Sequence, residues 1–386
     1  MALRVEDIPV YHYETLTHPP SFEDHITELT TPVNQGLCGS CWAISTSQCL
    51  RDRMLSINKN VPELSFQYII DCAKNCVTYQ GREGCALDCN GGFLSTSYIF
   101  LQRTGTVREA FYPNRHDDES GMDHIEGVKG IAGGCPDVVP EDEPVFKCDT
   151  FYNLHIYPDM FGITNARIPP RIRSKADLKR NADNIAEEIF RNGSVSVCFN
   201  LYSDFKDFWL HPNSKDMIYE IGWQLPASVR RTIPAVGSVN WVSPASGVYG
   251  IYFKTGHSVS IVGFGTAETT EGPVQYWVCR NSWGNPANTL HNGYFRIRRG
   301  INCSAIEADV SACTVSKLPD SIMVQPLYPA GAISINNSES KPSILLIMAL
   351  VVLFIVVIIY FSQPSTDYLE FSTYNLAPRL QDPYWR

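Results

Sequence analysis

Charged residues are scarce in this sequence, and clusters of basic residues are absent. Asp, Glu, Lys and Arg make up 18% of the 386 residues, and the formal net charge is −9 at pH 7. Proteins that bind nucleic acid through its phosphates need a basic patch or stripe. We therefore exclude nucleic acid as a partner. The sequence also has no internal repeat, which argues against a solenoid or a propeller.

The N-terminus lacks the features of a secretory signal peptide. Its first 20 residues include Arg4, Glu6 and Asp7. They contain no apolar run of the roughly seven residues that a signal needs. We therefore expect no cleaved secretory leader in this sequence.

One long apolar run lies near the C-terminus. Residues 344–361 are 18 consecutive positions without a charged side chain. As a helix rising about 1.5 Å per residue they would extend roughly 27 Å, close to the hydrocarbon thickness of a thin bilayer. We predict a single transmembrane helix at 344–361, after a linker at 319–343 and before a tail at 362–386. A buried core helix is the alternative.

Signals for the orientation of this helix conflict. Lys341 precedes the run, and Asp367 and Glu370 follow it, which weakly places the N-terminal part of the chain in the cytosol. Asn-X-Ser/Thr triplets favour the lumen, although they often arise by chance. They begin at Asn192, Asn302 and Asn336.

Cysteine is abundant, and its count is odd. Thirteen cysteines leave at least one thiol outside any set of disulfides, and twelve could form up to six bridges. Many disulfides would suit an oxidising compartment. The spacing of Cys72 and Cys76, and of Cys85 and Cys89, also permits a zinc site.

The segment from Gln35 to Trp42, Gln-Gly-Leu-Cys-Gly-Ser-Cys-Trp, is the most informative part of the chain. The spacing of Trp42, Leu50 and Met54 predicts a helix that begins at Cys41. A helix N-terminus favours the thiolate, which is the reactive form of cysteine. The Gln35 side-chain amide and the Cys41 backbone N–H could stabilise an oxyanion. A core or disulfide-bonded Cys41 is the alternative.

A histidine with a suitable neighbourhood lies far downstream. The alternating residues from 257 to 263 predict a strand that opens at His257. Residues 281–284 are Asn-Ser-Trp-Gly. We predict that Asn281 orients the His257 ring, as the third group of a catalytic triad does, and that Trp283 shields their hydrogen bond from water. A structural histidine is the alternative.

Together these motifs resemble those of the papain family of cysteine peptidases. Over residues 20–318 the order of motifs is similar to that of cathepsin B-like members, and residues 1–19 form an N-terminal segment. The resemblance implies an α+β fold of two subdomains. A helical subdomain would carry Cys41, and an antiparallel, barrel-like sheet would carry His257 and Asn281. Ser258 replaces the alanine that the family usually has after the histidine.

The same resemblance implies further site residues. Gly91 and Gly92 would line the substrate cleft with bare backbone, although an ordinary turn is the alternative. Glu307 would lie at the base of the S2 pocket and accept basic as well as apolar side chains. A solvated surface glutamate is its alternative. Cys38 would pair with Cys89, which argues against the zinc site.

Extra length is expected in two places, because 216 residues separate Cys41 from His257, against roughly 130 to 150 in the family. One is a surface loop at about 211–245, and the other is an irregular stretch at about 112–170. In cathepsin B the second region carries adjacent histidines that bind the substrate's C-terminal carboxylate. Here His116 and His124 are separated, so we expect endopeptidase activity.

The expected function is that of a membrane-anchored thiol protease that forms an acyl-enzyme. Its partners would be a peptide or protein substrate and a membrane, with no cofactor and no metal. An anchor without a signal or pro-segment resembles the cathepsin B-like peptidases of large DNA viruses, which implies a host or virion membrane. A catalytically silent peptide-binding or virion structural protein is the main alternative. A transpeptidase or ligase on the same scaffold is another.

Overall fold

The computed structural model describes residues 3–79, 82–115, 134–136, 138–155, 174–225, 251, 253–270, 272–284 and 286–323. These residues carry all thirteen cysteines and the expected site residues. The apolar run at 344–361, His116 and His124 lie outside the described residues. Within the described residues, no helix is both long and apolar enough to span a bilayer.

Six α-helices are found in the described part of the chain, besides short 3-10 turns. They are α1 (Cys41–Leu55), α2 (Phe66–Cys72), α3 (Leu94–Arg103), α4 (Lys175–Asn192), α5 (Phe205–Leu210) and α6 (Asp320–Met323). Helix α1 starts at Cys41, as the sequence predicts. Helix α4 ends before Gly193, whose φ of 97° favours glycine.

The strands form one small and one large sheet. They are β1 (Leu3–Arg4), β2 (Cys76–Tyr79), β3 (Arg82–Cys85), β4 (Thr150–Asn153), β5 (Val195–Tyr202), β6 (Ile218–Tyr219), β7 (Phe253–Thr269), β8 (Gly272–Arg280), β9 (Tyr294–Arg298) and β10 (Asp309–Thr314). The small sheet has the order β1-β2-β3, and the large sheet has the order β4-β10-β5-β7-β8-β9-β6. All neighbours in the large sheet are antiparallel except β6 and β9.

Two hydrophobic cores correspond to the two expected subdomains. One core surrounds α1, α2 and α3, and the other lies between α4 and the large sheet. Helix α1 is buried on almost every side, including its charged residues Asp52 and Arg53. These make ion pairs of 2.8 Å with Arg280 on β8 and Glu188 on α4. Since removing one partner would leave a buried charge, the pairs fix the helical subdomain against the sheet.

The N-terminal residues 3–18 form what we call the N-terminal strap. Its first residues form strand β1, which pairs with β2. Val10 forms a β-bridge with Asn153 on β4. Further along, the backbone N–H groups of Thr17 and His18 donate to Glu187 on α4, at 2.6 and 2.8 Å. The strap therefore contacts both the small sheet and the sheet subdomain.

Two local expectations were wrong. Strand β7 begins at Phe253, four residues before the predicted start at His257. Residues 211–225, expected to be part of a surface loop, include β6 and bury Tyr219 and Leu225. The apolar side chains of this segment extend the second core, which a solvated loop could not do.

Candidate active site

The turn before Cys41 is held in place from two directions. The Gly39 N–H donates to the Cys89 carbonyl at 2.8 Å, and Cys38 forms a disulfide with Cys89. A Cβ atom on Gly39 would lie 2.6 Å from the Cys89 oxygen, so only glycine fits there. The Cys38–Cys89 disulfide was predicted. Together with the Gly39 hydrogen bond, it fixes the position of Cys41 at the start of α1.

The remaining disulfides contain the other cysteines of the zinc alternative. Cys72 is bonded to Cys135, and Cys76 is bonded to Cys85. All four cysteines of the proposed zinc site are thus in bridges. Three disulfides form in total, rather than six, and seven cysteines, including Cys41, are free.

His257 lies directly beside Asn281. The His257 Nε2 atom is 2.8 Å from the Asn281 Oδ1 atom, and the side chains are 4% and 1% exposed. The backbone N–H of Ser282 also donates to Oδ1, which identifies that atom as the oxygen of the amide. An amide oxygen only accepts, so His257 carries a hydrogen on Nε2. This leaves Nδ1 as the ring nitrogen that can exchange a proton with sulfur.

The electrostatics of Cys41 favour its thiolate. Burial alone would raise the pKa of this partly exposed thiol. Hydrogen bonding and charge from His257, together with the backbone N–H and hydroxyl of Ser258, outweigh burial and lower the pKa below the ordinary value of a cysteine. The structure thus brings Cys41, His257 and Asn281 together in the arrangement that nucleophilic catalysis requires.

Gln35 is positioned by a residue that the sequence argument did not single out. The Ser282 hydroxyl donates to Gln35 Oε1 at 2.5 Å, and the Gln35 backbone N–H donates to the Ser282 carbonyl at 2.8 Å. Gln35 Nε2 donates one hydrogen to the Cys38 carbonyl. Its second hydrogen, and the first-turn N–H of Cys41, can serve an oxyanion. Ser282 lies within the Asn-Ser-Trp-Gly motif, which is the signal that could have identified it.

Trp283 covers the histidine. Its ring centroid is 5.0 Å from that of His257, with an angle of 31° between the two planes. The backbone of Trp283 forms a bridge with Asn34, the residue before Gln35. This position agrees with a shielding role for the indole.

Gly91 and Gly92 border the same region, on the loop that is tied to Cys38. Gly91 has a φ of 106°, and a Cβ atom added to it would meet nothing within 4 Å. A Cβ atom on Gly92 would lie 2.6 Å from the Trp42 ring. The first glycine therefore presents open backbone, and the second permits close packing on the helix that begins at Cys41.

Glu307 does not occupy a pocket. Its side chain is fully buried and accepts hydrogen bonds from Trp277 Nε1, Gly300 N and Asn302 N. Burial raises the pKa of Glu307, and these donors partly oppose the increase. Both expectations for this residue were wrong, because its carboxylate is used within the fold.

A different acidic residue faces the catalytic strand. Asp309 lies opposite Cys198 on β5, and Cys198 lies opposite Ser258 on β7. Side chains opposite one another in adjacent strands share a face of the sheet. Asp309, Cys198 and Ser258 thus form a row that ends beside Cys41. Burial raises the pKa of the partly exposed Asp309 to about 7.

The chain is similar to known proteins over most of its length. The sequence profile of the family described as "Papain family cysteine protease" matches residues 19–211 and 210–314. "Cathepsin B-like protease 1" of Arabidopsis thaliana is 27% identical over 281 residues, which are 72% of this chain and 56% of that protein. "Cathepsin B-like CP3" of Giardia intestinalis is 28% identical over 283 residues, which are 72% of this chain and 67% of that protein.

The fold has solved counterparts. The structure of digestive procathepsin L 3 from Tenebrio molitor larval midgut superposes with a TM-score of 0.51 at 18% identity, over 82% of this chain and 75% of that one. This likeness supports the papain-like α+β architecture. Since the family profile covers most of the described residues, the chain belongs to the papain family of cysteine proteases.

Proposed function

We propose that this protein is a cysteine endopeptidase that uses Cys41, His257, Asn281 and Gln35. One observation carries the proposal: a free and partly exposed thiol, whose pKa is lowered, lies beside a histidine that is oriented by an asparagine. Thiolate, base and orienting group are the parts that acyl transfer needs.

The reaction follows from these positions. The Cys41 thiolate attacks the scissile carbonyl carbon, and the resulting oxyanion accepts hydrogen bonds from Gln35 Nε2 and the Cys41 N–H. The His257 imidazolium gives its Nδ1 proton to the leaving amine, which departs as the C–N bond breaks. Neutral His257 then takes a proton from a water molecule as the water oxygen attacks the acyl carbon. The C–S bond breaks, which releases the acid and restores the Cys41 thiolate beside the His257 imidazolium.

The substrate would lie extended along Gly91 and Gly92. An extended peptide can pair with open backbone, and its side chains then point alternately to either side. The side chain at P2, the second residue before the scissile bond, would reach the row of Ser258, Cys198 and Asp309. We therefore assign to Asp309 the role in P2 selection that was first expected for Glu307.

Endopeptidase action and membrane anchoring are parts of the same proposal. The separation of His116 and His124 in the sequence supports cleavage within chains rather than at a C-terminus. The uncharged run at 344–361 supports an anchor in a host or virion membrane, as in the peptidases of large DNA viruses.

Labelling with a thiol-reactive epoxide peptide tests the catalytic proposal. We expect one label per chain on Cys41, with loss of peptide cleavage in proportion to labelling. Cys41→Ser should lose both the label and cleavage. Cys198→Ser is the matched control, because it removes a neighbouring thiol and should keep the label. A folded, reduced wild-type sample that neither labels nor cleaves would favour the silent peptide-binding alternative.

A further inference from the structure

A buried polar cluster lies where α1 meets the large sheet. Its centre is the ion pair between Asp52 on α1 and Arg280 on β8, whose side chains are both fully buried. Thr30 and Ser260 are hydrogen-bonded to this pair and are 2% and 0% exposed. We call Thr30, Asp52, Ser260 and Arg280 the buried cluster. Because water does not reach these residues, the protein itself supplies their hydrogen bonds.

The guanidinium of Arg280 connects the other three residues of the buried cluster. Its Nη1 atom donates to the Thr30 carbonyl at 2.8 Å and to Asp52 Oδ1 at 3.2 Å. Its Nη2 atom donates to Asp52 Oδ2 at 2.8 Å and to the Ser260 hydroxyl at 3.2 Å. All the terminal hydrogens of one planar group are thus used, which fixes the directions of these bonds as well as their lengths.

The buried cluster takes one residue from each segment that carries a proposed catalytic group. In three of these segments the two residues are close in sequence, and in the fourth the continuous helix α1 joins them. The pairs, in chain order, are Thr30 with Gln35, Asp52 with Cys41, Ser260 with His257, and Arg280 with Asn281. A shift of any of these segments would therefore be resisted by the same guanidinium.

We propose that Arg280 is a positioning residue for the reaction: its hydrogen bonds within the buried cluster hold Cys41 in register with His257 and Asn281. Arg280 is fully buried, so it acts through the segments that it joins and does not touch the substrate. This inference rests on the proposed function, because it concerns the geometry of the same catalytic groups.

Apolar packing alone does not set this register, because the two sides of the site belong to different cores. Trp42 on α1 packs in one core, and Trp277 on β8 packs in the other. Hydrophobic burial is non-directional. A charged, bidentate hydrogen bond depends on distance and angle, so it can fix one element against another. This precision matters, because a displacement of about 1 Å between reacting groups can slow a reaction about a hundredfold.

The ion pair at the centre of the buried cluster keeps its charges. Burial alone would raise the pKa of Asp52, but the charge and the hydrogen bonds of Arg280 outweigh burial and lower it. Since the two charges are opposite, the pair joins α1 to β8 without adding net charge near Cys41. Removing either charge would leave the other buried and unpaired, which strongly destabilises a protein. The variants that test the proposal therefore keep the charges.

Arg280→Lys is the first test, because a lysine keeps the charge but not the planar fork. A thiol-reactive epoxide counts the competent sites, so turnover is expressed per labelled Cys41. We expect kcat to fall at least about tenfold with KM nearly unchanged. The acidic limb of the pH profile for alkylation of Cys41 should also move upward by about one unit, since His257 would support the thiolate less well.

Arg53→Lys is the matched control. Arg53 follows Asp52 on α1 and makes the other buried ion pair of this helix, with Glu188 on α4. Helix α4 carries none of the proposed catalytic groups. The same substitution there should lower the urea midpoint of unfolding, as Arg280→Lys does, but leave kcat and the alkylation profile as in wild type. Stability and positioning are thereby separated.

Ser260→Ala is a milder second test that does not disturb the ion pair. The Ser260 hydroxyl accepts from Arg280 and donates to the Ser45 carbonyl of α1 at 3.4 Å. Its loss should lower kcat by about threefold. Combined with Arg280→Lys it should add little, because both changes break the same contact.

The outcomes separate this inference from the proposed function. A folded Arg280→Lys sample with wild-type kcat and a wild-type alkylation profile overturns the positioning role. If Arg280→Lys does not fold, wild-type values for Ser260→Ala overturn it instead. A wild-type protein that neither labels nor cleaves counts against the proposed function itself.

Discussion

Asp309 presents a carboxylate whose charge is poorly compensated. It is partly exposed, its pKa is raised to about 7 by burial, and no described residue makes a hydrogen bond or ion pair with its side chain. Such a group disfavours its own ionisation unless a cation approaches. A substrate with a basic side chain at P2 would supply that cation.

Selection at P2 should therefore depend on pH. Above about pH 7 Asp309 is ionised, so cleavage of P2-Arg peptides should rise relative to P2-Phe peptides; below it the carboxyl is neutral and the preference should fall. Asp309→Asn should lower kcat/KM for P2-Arg peptides by about tenfold and remove the pH dependence of the ratio. Paired peptides measured from pH 5 to 9, a range of about two units either side of that pKa, would show this.

Glu307 provides the matched comparison. Glu307→Gln should lower the free energy of unfolding by about 1–3 kcal/mol, because a buried acceptor of three hydrogen bonds loses its charge. It should leave the P2 ratio unchanged. If Glu307→Gln alters the ratio and Asp309→Asn does not, the assignment of the pocket to Asp309 is wrong.

The residues of the proposed catalytic site could be selected from their sequence motifs, but the acidic residue proposed for P2 selection could not. Gln35 and Cys41 lie in one short motif, and Asn281 and Trp283 lie in another, so local residue types indicate their chemistry. Glu307 and Asp309 are two positions apart, and only the bounds and register of β10 decide which of them faces Cys198. That register depends on pairing with β5, more than a hundred residues away.

At the level of elements, the N-terminal strap supplies a hydrogen bond to a buried carboxylate on α4. Glu188 is fully buried and accepts from Arg53, from the Tyr152 hydroxyl at 2.8 Å and from the Tyr13 hydroxyl at 2.6 Å. Tyr13 comes from the strap, whereas Arg53 comes from α1. The strap thus helps to satisfy the carboxylate that joins the two subdomains.

Removing the strap's hydroxyl should destabilise the fold. Tyr13→Phe deletes one donor to a buried carboxylate, so we expect the free energy of unfolding to fall by about 1–3 kcal/mol in urea denaturation. Tyr11→Phe is the control, because Tyr11 is 50% exposed and its hydroxyl makes no hydrogen bond with a described residue. Equal stability of Tyr13→Phe and wild type would mean that the strap is only loosely attached.

Elements with a local signal were predicted better than those that depend on distant pairing. Helix α4 ends before Gly193, and a glycine in that position is a local signal for the end of a helix. Helix α1 begins at Cys41, as the spacing of Trp42, Leu50 and Met54 predicts. Strand β6 is two residues long, and its parallel pairing with β9 left no local pattern to find.

At the scale of the whole molecule, the positions of the disulfides indicate the kind of compartment in which the peptidase domain lies. All three lie between residues 38 and 135, in the helical subdomain and the loops attached to it. Disulfides persist in oxidising surroundings. Of the three glycosylation triplets, Asn302 is fully buried and unavailable after folding, Asn192 is exposed, and Asn336 lies outside the described residues. We therefore favour a lumenal or external peptidase domain over the cytosolic one that Lys341 weakly indicates.

This topology makes a prediction for sealed membrane vesicles. The full-length chain should remain with the membranes after alkaline extraction, and a deletion of 344–361 should release it. Added trypsin should leave the peptidase domain intact until detergent opens the vesicles. Digestion before detergent would place the domain on the cytosolic face, and release of the full-length chain by alkali would rule out the anchor.

The Cys38–Cys89 disulfide also limits which reductant can be used in an activity assay of this protein. Laboratory buffers for thiol proteases contain a reductant, which reverses accidental oxidation of the attacking sulfur. A reductant strong enough to open this bridge would also release the loop that contains Gly91 and Gly92 from the turn that precedes Cys41. A mild monothiol at low concentration is therefore the appropriate reductant, because it can restore the Cys41 thiol and leave the Cys38–Cys89 disulfide intact.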